Sequence, residues 1–168
     1  MTSNNLFNDV PEEIRKLRVN YHVEPHDEND LVVRFLEVFG AILKHTNYGY
    51  VFDHAARMAS KCGRCSVQCP VYQVTEDPKD VPCERSNLLL RVYRRHFSGA
   101  GQLKARLLGE APLSEADIQE MAEQFYRCTA CRKCNLDCPF GVDHGLITHL
   151  GRYILSEIGI APKALVVS

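Results

Sequence analysis

The chain has almost no net charge: 20 Lys and Arg stand against 21 Asp and Glu, leaving −1 over 168 residues. No global field therefore draws it to nucleic acid or to a membrane surface, and charge has to be read locally. Long apolar runs are also missing. Arg34, Glu37, Lys44 and Arg152 break the hydrophobic stretches well before the roughly 18 residues a spanning helix needs. The first 20 residues contain no apolar stretch followed by a small-residue cleavage site, so no secretory signal is read and the expected location is the cytoplasm. No glycine-rich phosphate loop, Ser/His/Asp set or pair of working carboxylates stands out. Gly99-Ala100-Gly101 has no strand before it and reads as a helix stop. Strand-like alternation is confined to a short tail at 164–167.

What is present fits one domain of ordinary composition, 45% hydrophobic and 24% charged. Residues 1–29, rich in Asn, Asp, Glu and His, read as an extended arm with a short amphipathic piece at 12–18; residues 30–168 form the domain. Val32, Phe35, Leu36, Phe39 and Leu43 recur at helical steps behind Asp30, a residue suited to an N-cap. Further helices are expected at 50–60, 84–97, 102–108, 115–127 and 146–158, with a loop at 75–82. Ser114 and Asp117 are spaced as a capping box, Asp143 can cap the last helix, and Gly159 can close it. The fold class is all-α. Helix, cysteine loop ending in Cys-Pro, and helix occur twice in that order, which suggests a pseudo-twofold arrangement.

Eight cysteines in a chain read as cytoplasmic favour metal ligation over disulfides. The run Cys128-x2-Cys131-x2-Cys134-x3-Cys138-Pro139 has the bacterial ferredoxin spacing. Its first three thiolates can wrap one 4Fe-4S core, and its fourth ligates the neighbouring cluster. Cys62-x2-Cys65-x3-Cys69-Pro70 is the same pattern with Ala59 in the first slot, and Cys83 is the natural substitute. Crossed ligation then assigns Cys62, Cys65, Cys83 and Cys138 to cluster 1, and Cys69, Cys128, Cys131 and Cys134 to cluster 2. Without Cys83 as a ligand, cluster 1 becomes a 3Fe-4S core or takes a fourth ligand that is not cysteine. Zinc is the plain alternative, but a third cysteine at the next two-residue gap and a terminal Cys-Pro are surplus to a tetrahedron. The 58 residues between Cys69 and Cys128 point to the α-helical type of ferredoxin rather than the β-sheet type.

The stretches KCGRCSVQCPVY at 61–72 and YRCTACRKCNLDCPFGVDHGLI at 126–147, with GIAPKAL near the end, resemble the α-helical ferredoxins of the heterodisulfide-reductase family. These include that family's own ferredoxin-like components and the iron–sulfur subunits of sulfate-reducer membrane redox complexes. The resemblance implies an electron relay between a donor module and a catalytic or membrane partner, such as a flavin subunit, a cysteine-rich subunit or a membrane cytochrome subunit. An iron–sulfur subunit of a succinate, fumarate or glycerol-3-phosphate dehydrogenase-like complex is the alternative, as is a thiol–disulfide reductase component. A scaffold whose clusters only hold helices together is the rival of another class. No catalytic residue is assigned, and the chain reads as an electron-transfer subunit rather than an independent enzyme. Of seven histidines only His54 and His144 lie near the cysteine runs, and both are read as core or solvated side chains. Residues 84–106 carry six basic residues against Glu84 alone, a docking face for an acidic partner or a solvated helix face. Lys61, Arg64, Arg132 and Lys133 in the cysteine loops favour the more negative reduced state.

Overall fold

Apolar side chains at helical spacing set the architecture, and the computed structural model describes residues 21–23 and 30–166. The amphipathic piece expected at 12–18 lies outside the described residues. Helix α1, Leu31–Leu43, starts where Asp30 accepts a hydrogen bond from the Val32 N–H at 2.9 Å, and it buries Phe35, Phe39 and Ile42. Helix α2, Thr46–Met58, begins four residues before its expected start. Its Phe52 ring meets Phe39 edge-on at 4.9 Å. A buried aromatic contact of this kind contributes about 0.5–1.5 kcal/mol beyond area burial.

Helix α3, Pro70–Thr75, opens on the proline that follows the first cysteine run. A 3-10 turn at Pro78–Asp80 then leads into α4, Pro82–His96. The segment expected to be a loop, 75–82, thus contains a helical turn, and α4 begins earlier than expected because proline is well suited to a helix's first turn. The helix-stop reading of Gly99-Ala100-Gly101 is corrected: these residues open α5, Gly99–Leu108. Gly101 is needed there because a Cβ would lie 1.8 Å from the Arg94 carbonyl oxygen. Glycine allows α5 to turn sharply off the end of α4.

Helix α6, Glu115–Arg127, carries the expected capping box in both directions between Ser114 and Asp117. Helix α7, His144–Glu157, is capped by Asp143, which accepts from the Leu146 N–H at 2.9 Å. Gly159 lies beyond its end at φ +83°, as a left-handed terminator should. The strand-like alternation that begins at 164 forms no strand in its described part, since α8 occupies Lys163–Val166. The short strand β2 is Ile160–Pro162, antiparallel to β1, Tyr21–Val23, with His22 opposite Ala161. A strand needs a partner for its amides, and β1 supplies one for 160–162.

Helix α4 is the centre of the fold and packs most extensively on α7, with α2, α5 and α6 against its other sides. Helices α6 and α7 approach closely enough that a Cβ at Gly151 would fall 2.3 Å from the Phe125 ring. The described molecule is mostly helical and matches the all-α ferredoxin class. No helix among the described residues is long and apolar enough to cross a membrane.

Candidate metal centre

The two cysteine loops repeat each other bond by bond. In the first, the Ser66 N–H donates to the Gly63 carbonyl (2.9 Å) and the Cys69 N–H to that of Ser66 (3.1 Å); in the second, Asn135 donates to Arg132 (3.0 Å) and Cys138 to Asn135 (3.4 Å). Each loop contains one 3-10 turn, Arg64–Ser66 or Lys133–Asn135, preceded by a left-handed residue. That residue is Gly63 (φ +70°) in one loop and Arg132 (φ +57°) in the other. The two turns touch. Ala59 and Cys128 occupy the same place, each being the extended C-cap of the helix that delivers its loop. The substitution read from the sequence is therefore a substitution at one structural position.

Cys69, from the first loop, lines a cavity together with Cys128, Cys131 and Cys134 from the second. These are the four thiols expected to share a cluster. Cys134 is buried, and burial, followed by the charges of Cys128, Asp143, Cys69 and Cys131, pushes its thiol up to about 11. Thiols that oppose one another's ionisation are held together as thiolates by a cationic core. Cys131 is shifted the other way, chiefly by the Lys133 backbone N–H. Ala130, at φ +56°, turns its N–H toward Cys128 Sγ at 3.4 Å. Left-handed backbone at a residue other than glycine costs roughly 1–2 kcal/mol, and here it aims an amide at a sulfur.

Cys65 and Cys83 are both buried and in mutual contact. Cys83 lies in the first turn of α4, where a helix N-terminus favours a thiolate. The hydrogen bond from Cys65 is the main influence lowering the Cys83 thiol, burial opposes it, and the Gly63 N–H adds to the lowering. That same contact, with burial, raises Cys65. Lys61 pairs with Glu84 at 2.9 Å, joining the first loop to α4 beside Cys83. Cys62 is exposed. Cys138 is half-buried and meets His144 Nε2 at 3.7 Å.

Among the described residues, no three Cys, His, Asp or Glu side chains are placed to share a single ion. The thiols lining the cavity suit a multi-iron core, whose ligands attach at separate corners.

Several supporting residues had no signal in the cysteine spacing. His144, read as an ordinary histidine, is buried on the first turn of α7, with Nδ1 2.7 Å from Ser86 Oγ and Nε2 toward Cys138. Burial pulls its imidazole down to about 4, so the ring is neutral at physiological pH. Ser86 Oγ also lies 3.2 Å from the Cys83 carbonyl. Asp80, fully buried, binds Arg85 (3.1 Å), Arg127 (2.6 Å) and Thr75 Oγ1 (2.7 Å). Arg152 of α7 donates to the Phe125, Tyr126 and Cys128 carbonyls, satisfying the C-terminal end of α6 at the ligand loop. Arg132 pairs with Asp143.

Residues 60–142 match the model of the 4Fe-4S dicluster domain. The chain is 36% identical over 108 residues to an Hdr-like menaquinol oxidoreductase iron-sulfur subunit 2 from Archaeoglobus fulgidus, covering 64% of this chain and 20% of that protein. It is 27% identical over 104 residues to a component of the dihydromethanophenazine:CoB–CoM heterodisulfide reductase of Methanosarcina acetivorans, covering 61% of this chain and 24% of the relative. To the glycolate oxidase iron-sulfur subunit of Escherichia coli it is 29% identical over 105 residues, covering 62% and 21%. The chain therefore spans about a fifth to a quarter of the length of these relatives. No solved structure matches. With paired cysteine loops, a helical frame and iron–sulfur relatives in agreement, residues 60–142 carry a 4Fe-4S dicluster domain.

Proposed function

We propose that the chain is an electron-transfer subunit holding two 4Fe-4S clusters in a heterodisulfide-reductase-like complex. The observation that carries this reading is the meeting of Cys69 from one loop with three thiols of the other, in two loops that repeat each other's hydrogen bonds. Cys69, Cys128, Cys131 and Cys134 would hold one cluster, and Cys62, Cys65, Cys83 and Cys138 the other. Bound there, such clusters supply reversible one-electron chemistry. The protein's own part is to fix the thiolates, exclude water and donate hydrogen bonds to sulfur. Partners of the kind expected are other redox subunits, as the names of the relatives suggest. A cytoplasmic position, docked to a membrane complex, fits a chain with no spanning helix among its described residues.

Anaerobic iron and sulfide analysis with a reductive titration tests the reading. About eight irons per chain and two reversible one-electron steps are expected. A colourless protein containing zinc would sink it, and clusters that never cycle would favour the scaffold alternative.

His144 offers a finer prediction. Once Cys138 is a metal-bound thiolate it can only accept, so His144 presents Nε2–H to the sulfur and its Nδ1 accepts a hydrogen bond from the Ser86 hydroxyl, which turns to it from the Cys83 carbonyl. A hydrogen bond to a ligating sulfur stabilises the more negative reduced state. His144→Leu should lower the potential of the cluster that takes Cys138 by more than that of the other, whose cavity His144 also lines, with His144→Gln recovering part of the shift. Equal potentials in the variant and the parent protein would remove His144 from this role.

A further inference from the structure

At the far end of α4 from Cys83, a cavity of about 480 Å³ opens between α4, α5, α6 and the segment joining α5 to α6. This volume falls within the range of small-molecule sites. Leu88, Val92, Leu113 and Met121 give it apolar walls. Arg91, Arg94, Arg95 and Lys104 face it as cations against two carboxylates, Glu110 and Asp117. Asp117 is already engaged by the backbone and hydroxyl of Ser114, and Arg94 by the Ala56 carbonyl and Asn87. Arg95 and His96 are different. Arg95 Nε and Nη1 and His96 Nε2 are buried from solvent and have no hydrogen-bond partner in the protein. Polar atoms sequestered in this way, the Arg95 donors above all, carry the full desolvation penalty of an unmade bond, and a native chain keeps them where something else satisfies them. Gln102 Nε2 donates to the His96 carbonyl at 2.6 Å, and Gly101 lies against Arg94, so the corner that presents these donors is built rather than loose.

We propose that this cavity binds a small anionic molecule with an apolar body, a carboxylate or a phosphate ester, whose charged end is held by Arg95 and His96. Arg95 Nε and Nη1 each offer a charge-assisted hydrogen bond to an oxyanion, and the aliphatic walls take the uncharged part. The site does not depend on which thiols ligate which cluster.

Isothermal titration of the cluster-loaded chain with benzoate and with phenyl phosphate should give saturable one-to-one binding, with the preferred probe distinguishing carboxylate from phosphate. Benzamide, which has the same shape without the charge, should not bind. Arg95→Met and His96→Leu should each weaken binding by about tenfold or more. The thermal midpoint of the free protein should hold or rise in Arg95→Met, because two buried nitrogens without partners are removed. Iron content and the helical circular-dichroism signal confirm that the variants fold. Unchanged affinity in both variants, equal binding of benzamide, or capture of a tetraglutamate peptide with neither small probe bound would each overturn the proposal.

Discussion

Cys83→Ala is expected to reduce the iron content from about eight to about seven per chain while the second centre stays intact. The expectation follows from the position of Cys83. The thiol stands at the start of α4, touches Cys65 and accepts the Gly63 N–H, which brings it into the first loop although it lies fourteen residues beyond Cys69. Its loss leaves three thiolates for that core, and a three-iron core shows an electron paramagnetic resonance signal in its oxidised state that a cube lacks. Ala59 and Cys128 are equivalent C-caps, so Ala59→Cys in the Cys83→Ala background should restore the eighth iron. An unaltered iron content and spectrum in Cys83→Ala would remove Cys83 from the ligand set.

Asp80→Ala should produce the largest loss of stability, about 3–5 kcal/mol. Asp80 and Arg85 are 0% and 1% exposed, and the carboxylate also takes Arg127 and Thr75. Truncating it leaves the Arg85 guanidinium buried without its counter-charge, the costly way to break an internal ion pair. The same carboxylate ties the 3-10 turn at Pro78–Asp80 to α4 and α6, and its backbone carbonyl lies 3.8 Å from Cys69 Sγ. Chemical denaturation followed by circular dichroism and by bleaching of the cluster absorbance should show both transitions moving together. Asp80→Asn should cost less, because the amide oxygen still accepts. A midpoint in Asp80→Ala within about 1 kcal/mol of the parent would show that the network is not a structural tie.

The helical architecture was legible because it leaves local marks. The Ser114–Asp117 capping box, the Asp30 and Asp143 caps and the Gly159 terminator were read from neighbours in sequence and recur in the structure. The substitution at Ala59 was equally visible, because the two cysteine runs align without a gap. What could not be read depends on contacts between distant segments. Gly99-Ala100-Gly101 looks like a stop until the Arg94 carbonyl is known to lie where a side chain would go. The strand at 160–162 depends on residues 21–23, more than 130 positions earlier. Ser86 and His144 are 58 residues apart and meet only because α4 packs on α7. Arg85 looked like part of a basic helix face, yet it is buried on a carboxylate.

The notch at Gly151 that receives the Phe125 ring bears on how fast electrons could move. The loop with four cysteines leaves α6 and returns into α7, and this contact, with Arg152 gripping the last carbonyls of α6, sets the distance between its two ends. A frame whose ends cannot drift apart resists changes in sulfur positions when charge arrives. Little nuclear rearrangement would then accompany a hop in the proposed relay, which is the condition for rapid exchange with a partner at small driving force.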